Sequence, residues 1–204
     1  MARISTIAAV STLVGVVTLL AFGTWWISRP VPHVAPPQFI SDVLPLGEEE
    51  ELRNKEVLAA FEETSMRSDS FANKESYRMI LLPTFHHPIL VRASATDKGL
   101  KLTTKLLDGK GGYDIGKLFI TEERPMTEAE WLHLLELLES SSYWSIRTRT
   151  DDPVNDGAAW LLEGRRAEMA HQVFRITPKP KLLETFRYFL QLAGRETDYK
   201  GYWQ

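Results

Sequence analysis

The sequence predicts an α+β fold, an antiparallel sheet of hairpins with helices packed on it, preceded by a single N-terminal transmembrane helix. Three observations carry this expectation: alternating apolar segments joined by turn residues over 77–122, a capping box at Thr127 that opens an amphipathic helix, and an uninterrupted apolar run over residues 7–27.

Ile7 to Ile27 contains neither charge nor proline, and about 21 residues at about 1.5 Å each reach about 30 Å, one hydrocarbon core. Trp25 and Trp26 close the run beside Arg29, where indole rings and a basic head suit the membrane boundary. Residues 1–28 therefore read as a transmembrane anchor or a signal sequence, since Ala21-Phe22-Gly23 places small residues where a signal peptidase cuts. The run continues past that site to Ile27, which favours an uncleaved anchor. Arg3 and the amino terminus oppose Arg29 alone, so the inward bias is slight. It places the amino end in the cytoplasm and the domain outside a bacterial cytoplasmic membrane, as a single-pass protein. Residues 29–45 form a proline-rich, stiff spacer, 46–196 the α+β domain, and 197–204 a C-terminal tail.

Within the domain, Glu48 to Glu51 opens a helix carrying Leu52, Val57, Leu58 and Phe61, with acidic residues favoured at its start. Tyr77 to Leu82 is a strand ended by Pro83, and Ile89 to Thr96 a second strand by its alternation. Asp97-Lys98-Gly99 turns the chain into a third, Leu100 to Leu107, whose Lys101, Thr103 and Lys105 are expected to form a wet face. Lys117 to Glu122 then extends the meander. Thr127 and Glu130 make the capping box, with Met126 and Trp131 as staple and Trp131, Leu134, Leu135 and Leu138 as the buried stripe. Ala158 to Arg165 and Met169 to Ile176 form a second hairpin. Leu182, Leu183, Phe186, Phe189, Leu190 and Ala193 mark a last helix ended at Gly194.

Composition excludes several chemistries. With 24 Lys+Arg against 27 Asp+Glu, the net charge of -3 lacks the basic footprint of a nucleic-acid binder. Cys 0 removes disulfides, thiolate metal sites and a cysteine nucleophile. No cofactor motif is present, and no cofactor or resident metal is expected.

His86, His87, Asp156, Glu163 and His171 are candidates for acid/base chemistry. His86 and His87 sit at a strand boundary, where adjacent side chains face opposite ways, so one imidazole is expected at the core or rim and the other in solvent. His133 and His171 are isolated, without spacing for a shared metal. Asp156 and Glu163 fall at positions 5 and 12 of a near-match to a calcium loop beginning at Asp152, but Val154 supplies no oxygen at position 3. The simpler reading turns the chain at Asp156-Gly157, with Trp160 and Leu162 inward and Glu163 facing solvent or Arg165. Gly111, Gly112 and Tyr113 are candidates for anion binding in the loop Asp108–Asp114, although strand follows strand there, unlike a phosphate loop. Their simpler role is a wide hairpin loop with glycines at φ > 0 and Tyr113 folded onto the sheet. No serine motif supports a triad, and Trp131, Trp144 and Trp160 suit packing better than sugar stacking.

The ordered segments Phe85-His86-His87-Pro88, Asp108-Gly-Lys-Gly-Gly-Tyr113, Glu130-Trp131, Tyr143-Trp144, Asp156-Gly157-Ala-Ala-Trp160 and Leu162-Glu163-Gly164 resemble those of a family of uncharacterised bacterial proteins. The resemblance spans about Tyr77 to Gly194 and implies one bacterial domain without a known activity. The chain departs from it at Arg175-Ile176-Thr177-Pro178, where family members carry Arg-Trp.

The expected function is a membrane-tethered extracytoplasmic binding or interaction protein for a protein or envelope ligand, in an immunity-like or inhibitor-like role. The alternative is an envelope hydrolase, with a metal-assisted or acid/base site drawn from His86 or His87 together with Asp156, Glu163 or His171, which requires the two hairpins to converge.

Overall fold

The computed structural model describes residues 48–71, 74–110, 114–150 and 158–203. The apolar run and the spacer lie outside these residues. No helix among the described residues is long and apolar enough to cross a membrane.

Helix α1 (Glu48–Ala60) leads through an irregular strap, 61–71, into β1 (Glu75–Pro83), β2 (Ile89–Thr96), β3 (Gly99–Leu107) and β4 (Leu118–Pro125). Helix α2 (Glu128–Ser140), the hairpin β5 (Ala158–Arg166) and β6 (Met169–Arg175), and α3 (Pro180–Leu192) follow. The sheet is antiparallel in the order β4-β3-β2-β1-β5-β6. The meander thus accounts for four strands, and the second hairpin adds to the free edge of β1, as expected of an α+β domain.

One face carries Tyr77, Met79, Leu81, Val91, Leu102, Trp160, Leu162 and Val173, which pack on Trp131, Leu134 and Leu138 of α2 and on Leu182, Phe186, Phe189 and Leu190 of α3. The capping box is complete: Glu130 N–H donates to Thr127 Oγ1 at 3.2 Å, and Thr127 N–H donates to Glu130 Oε2 at 2.8 Å. The Arg124 guanidinium, bonded to Glu130, is the main reason that this carboxyl is held below its usual range. Thr127→Ala is expected to lower stability by about 1 kcal/mol in urea unfolding, because the Glu130 N–H loses its side-chain acceptor.

The opposite face corrects the expectation of a wet side to the β2–β3 hairpin. Val57 and Phe61 of α1 and its end cover Ile80, Leu90, Leu107 and Leu161, and Thr103 and Lys105 are buried with them. Both faces of β1 are covered, which explains its nearly unbroken apolar run. The C-terminal segment is likewise more than a tail. It winds into a 3-10 turn, Glu196–Tyr202, with Tyr199 buried and the Trp203 ring tilted against Trp160 at 6.2 Å.

Candidate functional site

The sequence candidates separate into three places. At the end of the sheet where β1 turns into β2 and β3 leads toward β4, both histidines are exposed, so of the core or rim position expected for one of them the core is excluded. The reason is local: residues 84–86 bend out of the strand, so strand alternation does not apply to them. Their rings are nonetheless fixed. Tyr202 Oη lies 2.7 Å from His86 Nδ1 and accepts the Phe85 N–H at 3.2 Å. His87 Nδ1 lies 3.0 Å from the Gly109 carbonyl, which only accepts, so Nδ1 carries a proton and donates. The His87 carbonyl in turn accepts from the Tyr199 hydroxyl at 2.8 Å.

Beside these rings stand Phe85, 66% exposed, and Phe119, 49% exposed, the latter with its ring 5.3 Å from His87. The β3–β4 loop is drawn tight below them. Asp108 Oδ1 accepts the Lys117 N–H at 2.7 Å, Asp114 Oδ1 accepts the Gly116 N–H at 3.0 Å, and Lys110 bridges to Asp114. Gly116 adopts φ 76, and a side chain on it would strike the backbone of Gly109, so this position needs glycine twice over. Gly111, Gly112 and Tyr113, the anion candidates, lie outside the described residues.

His171 belongs to a second place, the helix-covered face at the far side of β1. Gly164 pairs with both Tyr77 and His171, and the Tyr143 ring sits against that glycine, its hydroxyl donating to the His171 carbonyl at 2.6 Å. A Cβ on Gly164 would come 2.9 Å from Tyr143 Oη and 2.9 Å from Tyr77 Cδ1. His171 Nε2 donates to the Ile146 carbonyl at 3.0 Å, and the ring packs 5.1 Å from Tyr143. Burial is the main reason that its pKa is lowered. Because the unfolded chain protonates near pH 6.5 and the folded imidazole only below that, stability is expected to fall as pH drops below about 6.5. The His171 share of that slope is at most about 1.4 kcal/mol per pH unit, and His171→Gln should flatten it in thermal unfolding at pH 5 to 7.

Glu163 forms the third place. It does project opposite Trp160 and Leu162, but it meets neither solvent nor Arg165. It is buried and accepts from Arg78 Nε at 2.8 Å and Nη2 at 2.6 Å, across the β1–β5 pair. Arg78 in turn lies opposite Arg92 on β2, and Glu63 of the strap neutralises the two like charges. Its Oε2 accepts from Arg78 Nη1 at 3.1 Å and from Arg92 Nη1, and its Oε1 pairs with Lys105 Nζ at 2.8 Å. Lys105 also donates to the carbonyls of Phe61 at 2.8 Å and Glu62 at 3.2 Å. This buried row of Glu163, Arg78, Glu63, Arg92 and Lys105 is where the strap is fastened to the sheet.

The three places do not merge. Leu81, which pairs with Ile89 where β1 nears its end, and Tyr77, on the His171 row, are four residues apart along β1, about 13 Å. His86 and His87 lie beyond Leu81, and Glu163 is on the opposite face from His171. The composite acid/base site is therefore not assembled by His86, His87, Glu163 and His171. Asp156, its remaining member, lies outside the described residues, and Glu163 is engaged by Arg78 rather than arranged as a calcium ligand. Among the described residues no three His, Asp or Glu side chains group as a metal site. Sequence reasoning missed Glu63, Arg78, Arg92 and Lys105, and the braces Tyr199 and Tyr202. No family model matches this chain, and no curated protein matches it.

Proposed function

We propose that this chain is a membrane-tethered extracytoplasmic binding protein that presents the Phe85–His87–Phe119 end of its sheet to a protein or envelope ligand, in an immunity-like or inhibitor-like role. One observation carries the reading. Two aromatic side chains stand exposed, Phe119 with its ring against a histidine whose backbone and ring are both hydrogen-bonded and Phe85 on a backbone N–H bonded to Tyr202, so the surface is ordered before any ligand arrives. Such a surface loses little conformational freedom on binding, and aromatic anchors with a polar neighbour are what interface hot spots use. The tether is supported by the apolar run 7–27 and the stiff spacer that follows it.

The test uses the full-length protein in its membrane with a photo-cross-linking residue at Phe85 or Phe119, and Leu132 on α2 as an exposed control. A discrete adduct from positions 85 and 119, absent at 132, lost with an excess of unlabelled wild type as competitor and kept with an excess of the Phe85→Ala/Phe119→Ala double variant, supports the reading. Equal adducts from all three positions, or none from 85 and 119, overturn it. An intact mass that retains residues 1–23 is expected for the anchor.

A further inference from the structure

The two edges of the sheet are finished differently. Residues 146–148 are held against β6: Phe174 N–H donates to the Thr148 carbonyl at 2.7 Å, Arg175 Nη2 to the Arg147 carbonyl at 2.8 Å and His171 Nε2 to the Ile146 carbonyl at 3.0 Å. At the other edge, among the described residues, β4 pairs with β3 alone. An open edge is a template for a further strand unless something blocks it.

The backbone of β4 shows which groups are on offer. Met126 N–H donates to the Leu100 carbonyl at 2.9 Å, and Arg124, Glu122 and Ile120 face Leu102, Thr104 and Leu106 in the same register. Alternate residues of an antiparallel ladder bond the neighbour, so Thr121 and Glu123 turn their N–H and C=O groups to the open side. The register then slips by one residue, since Leu106 meets Ile120 but Leu107 meets Leu118. That bulge takes Phe119 out of the alternation and leaves it 49% exposed against His87, at the end of the open stretch.

The charges of β4 do not guard this edge. Glu123 is bonded by Lys101 at 2.9 Å and Arg124 bonds Glu130 at 2.8 Å, so both are neutralised within the chain. Glu122 is 57% exposed and reaches Arg195 only at 3.5 Å, a surface pair of little worth that an incoming basic side chain can replace. A second copy of the chain fits poorly. Outward residues must meet outward residues, so a two-fold axis falls at Thr121, Glu122 or Glu123. The last two set a glutamate against its own copy, and the first makes one bonded pair before the bulge interrupts it.

We propose that β4 takes an extended segment of the protein ligand as a seventh strand, bonded through the Thr121 and Glu123 backbone. An apolar side chain of that segment meets Phe119, and a basic one meets Glu122. Backbone bonds give such a complex its affinity and the flanking side chains its selectivity. The proposal rests on the Phe85–Phe119 end being a docking surface, with which the open stretch is continuous at Phe119.

The experiment selects phage-displayed random peptides of about ten residues, long enough for one strand, on the full-length protein in detergent. Enriched peptides are then synthesised and titrated by fluorescence anisotropy. They are expected to bind wild type and Thr121→Ala alike, and Thr121→Pro about tenfold more weakly, because proline deletes an outward N–H. The melting temperature of Thr121→Pro should stay close to that of wild type, since an edge strand tolerates proline where its N–H bonds nothing in the fold. Glu122→Gln should weaken peptides that carry a basic residue severalfold. N-methylation along the peptide should weaken binding at every second residue, a readout that needs no change in β4 and decides the matter even where proline disturbs the strand. No enriched peptide, equal binding by Thr121→Pro, or N-methylation without that alternation overturns the proposal. Peptides that Thr121→Pro binds as wild type does but Phe85→Ala/Phe119→Ala loses would overturn strand addition while leaving the docking surface in place.

Discussion

Replacing Arg78 by alanine is expected to destabilise the domain by about 3–5 kcal/mol, the range found when one partner of a buried ion pair is removed. Arg78 is fully buried, with Glu163 on one side and both Glu63 and the Thr64 carbonyl on the other, at 2.6 to 3.1 Å. Its loss strands the buried Glu163 carboxylate and takes one of three cationic partners from Glu63, and burying an uncompensated charge outweighs the packing lost. The coupling is the sharper readout. Arg78→Met combined with Glu163→Gln should be less destabilising than the sum of the two single changes, because the second removes the charge that the first strands. Urea unfolding of the four proteins measures this, and strictly additive losses of under about 1 kcal/mol each would mean that the row is solvated.

Trp160→Ala is the second large effect, at about 3–5 kcal/mol. The indole is completely buried where β5 meets α3, with Phe186 at 5.1 Å and Trp203 at 6.2 Å between ring centroids. A cavity there faces a sheet and a helix that are each held by other contacts, so it cannot collapse fully. Trp160→Phe should cost far less than the alanine change, because Trp160 Nε1 has no partner among the described residues and no hydrogen bond is lost with it. Thermal unfolding separates the two, and similar losses for both would show a polar role for the indole nitrogen.

The parts of the fold that were legible carry a period. Alternation placed β2 and β3, the Thr127–Glu130 capping box placed α2 with both of its hydrogen bonds, and the stripe from Leu182 to Leu190 placed α3. The covered strap face was misread because its charges alternate as a wet face would. Its counter-signal was present in Ile80, Leu90, Leu107 and Leu161, apolar residues interleaved with those charges, which demand a cover that Val57 and Phe61 supply. Glu163 was assigned the correct side of its strand but the wrong partner, since i+2 spacing suggests Arg165 whereas cross-strand register supplies Arg78. Register between distant strands is not written in local sequence. Nor were Tyr199 and Tyr202 legible as braces of the histidine bend, because a short 3-10 turn has no hydrophobic period to read.

The exposed end also makes the tethered reading directly measurable, since Cys 0 makes any introduced cysteine the single thiol of the chain. Phe85→Cys is suited to this because position 85 is largely exposed and its side chain is no part of the core. The measurement is modification of that thiol by a membrane-impermeant reagent in intact spheroplasts and after lysis. Labelling from outside, at the same extent with and without lysis, is the predicted result. Labelling only after lysis would put the domain on the cytoplasmic side and contradict the account.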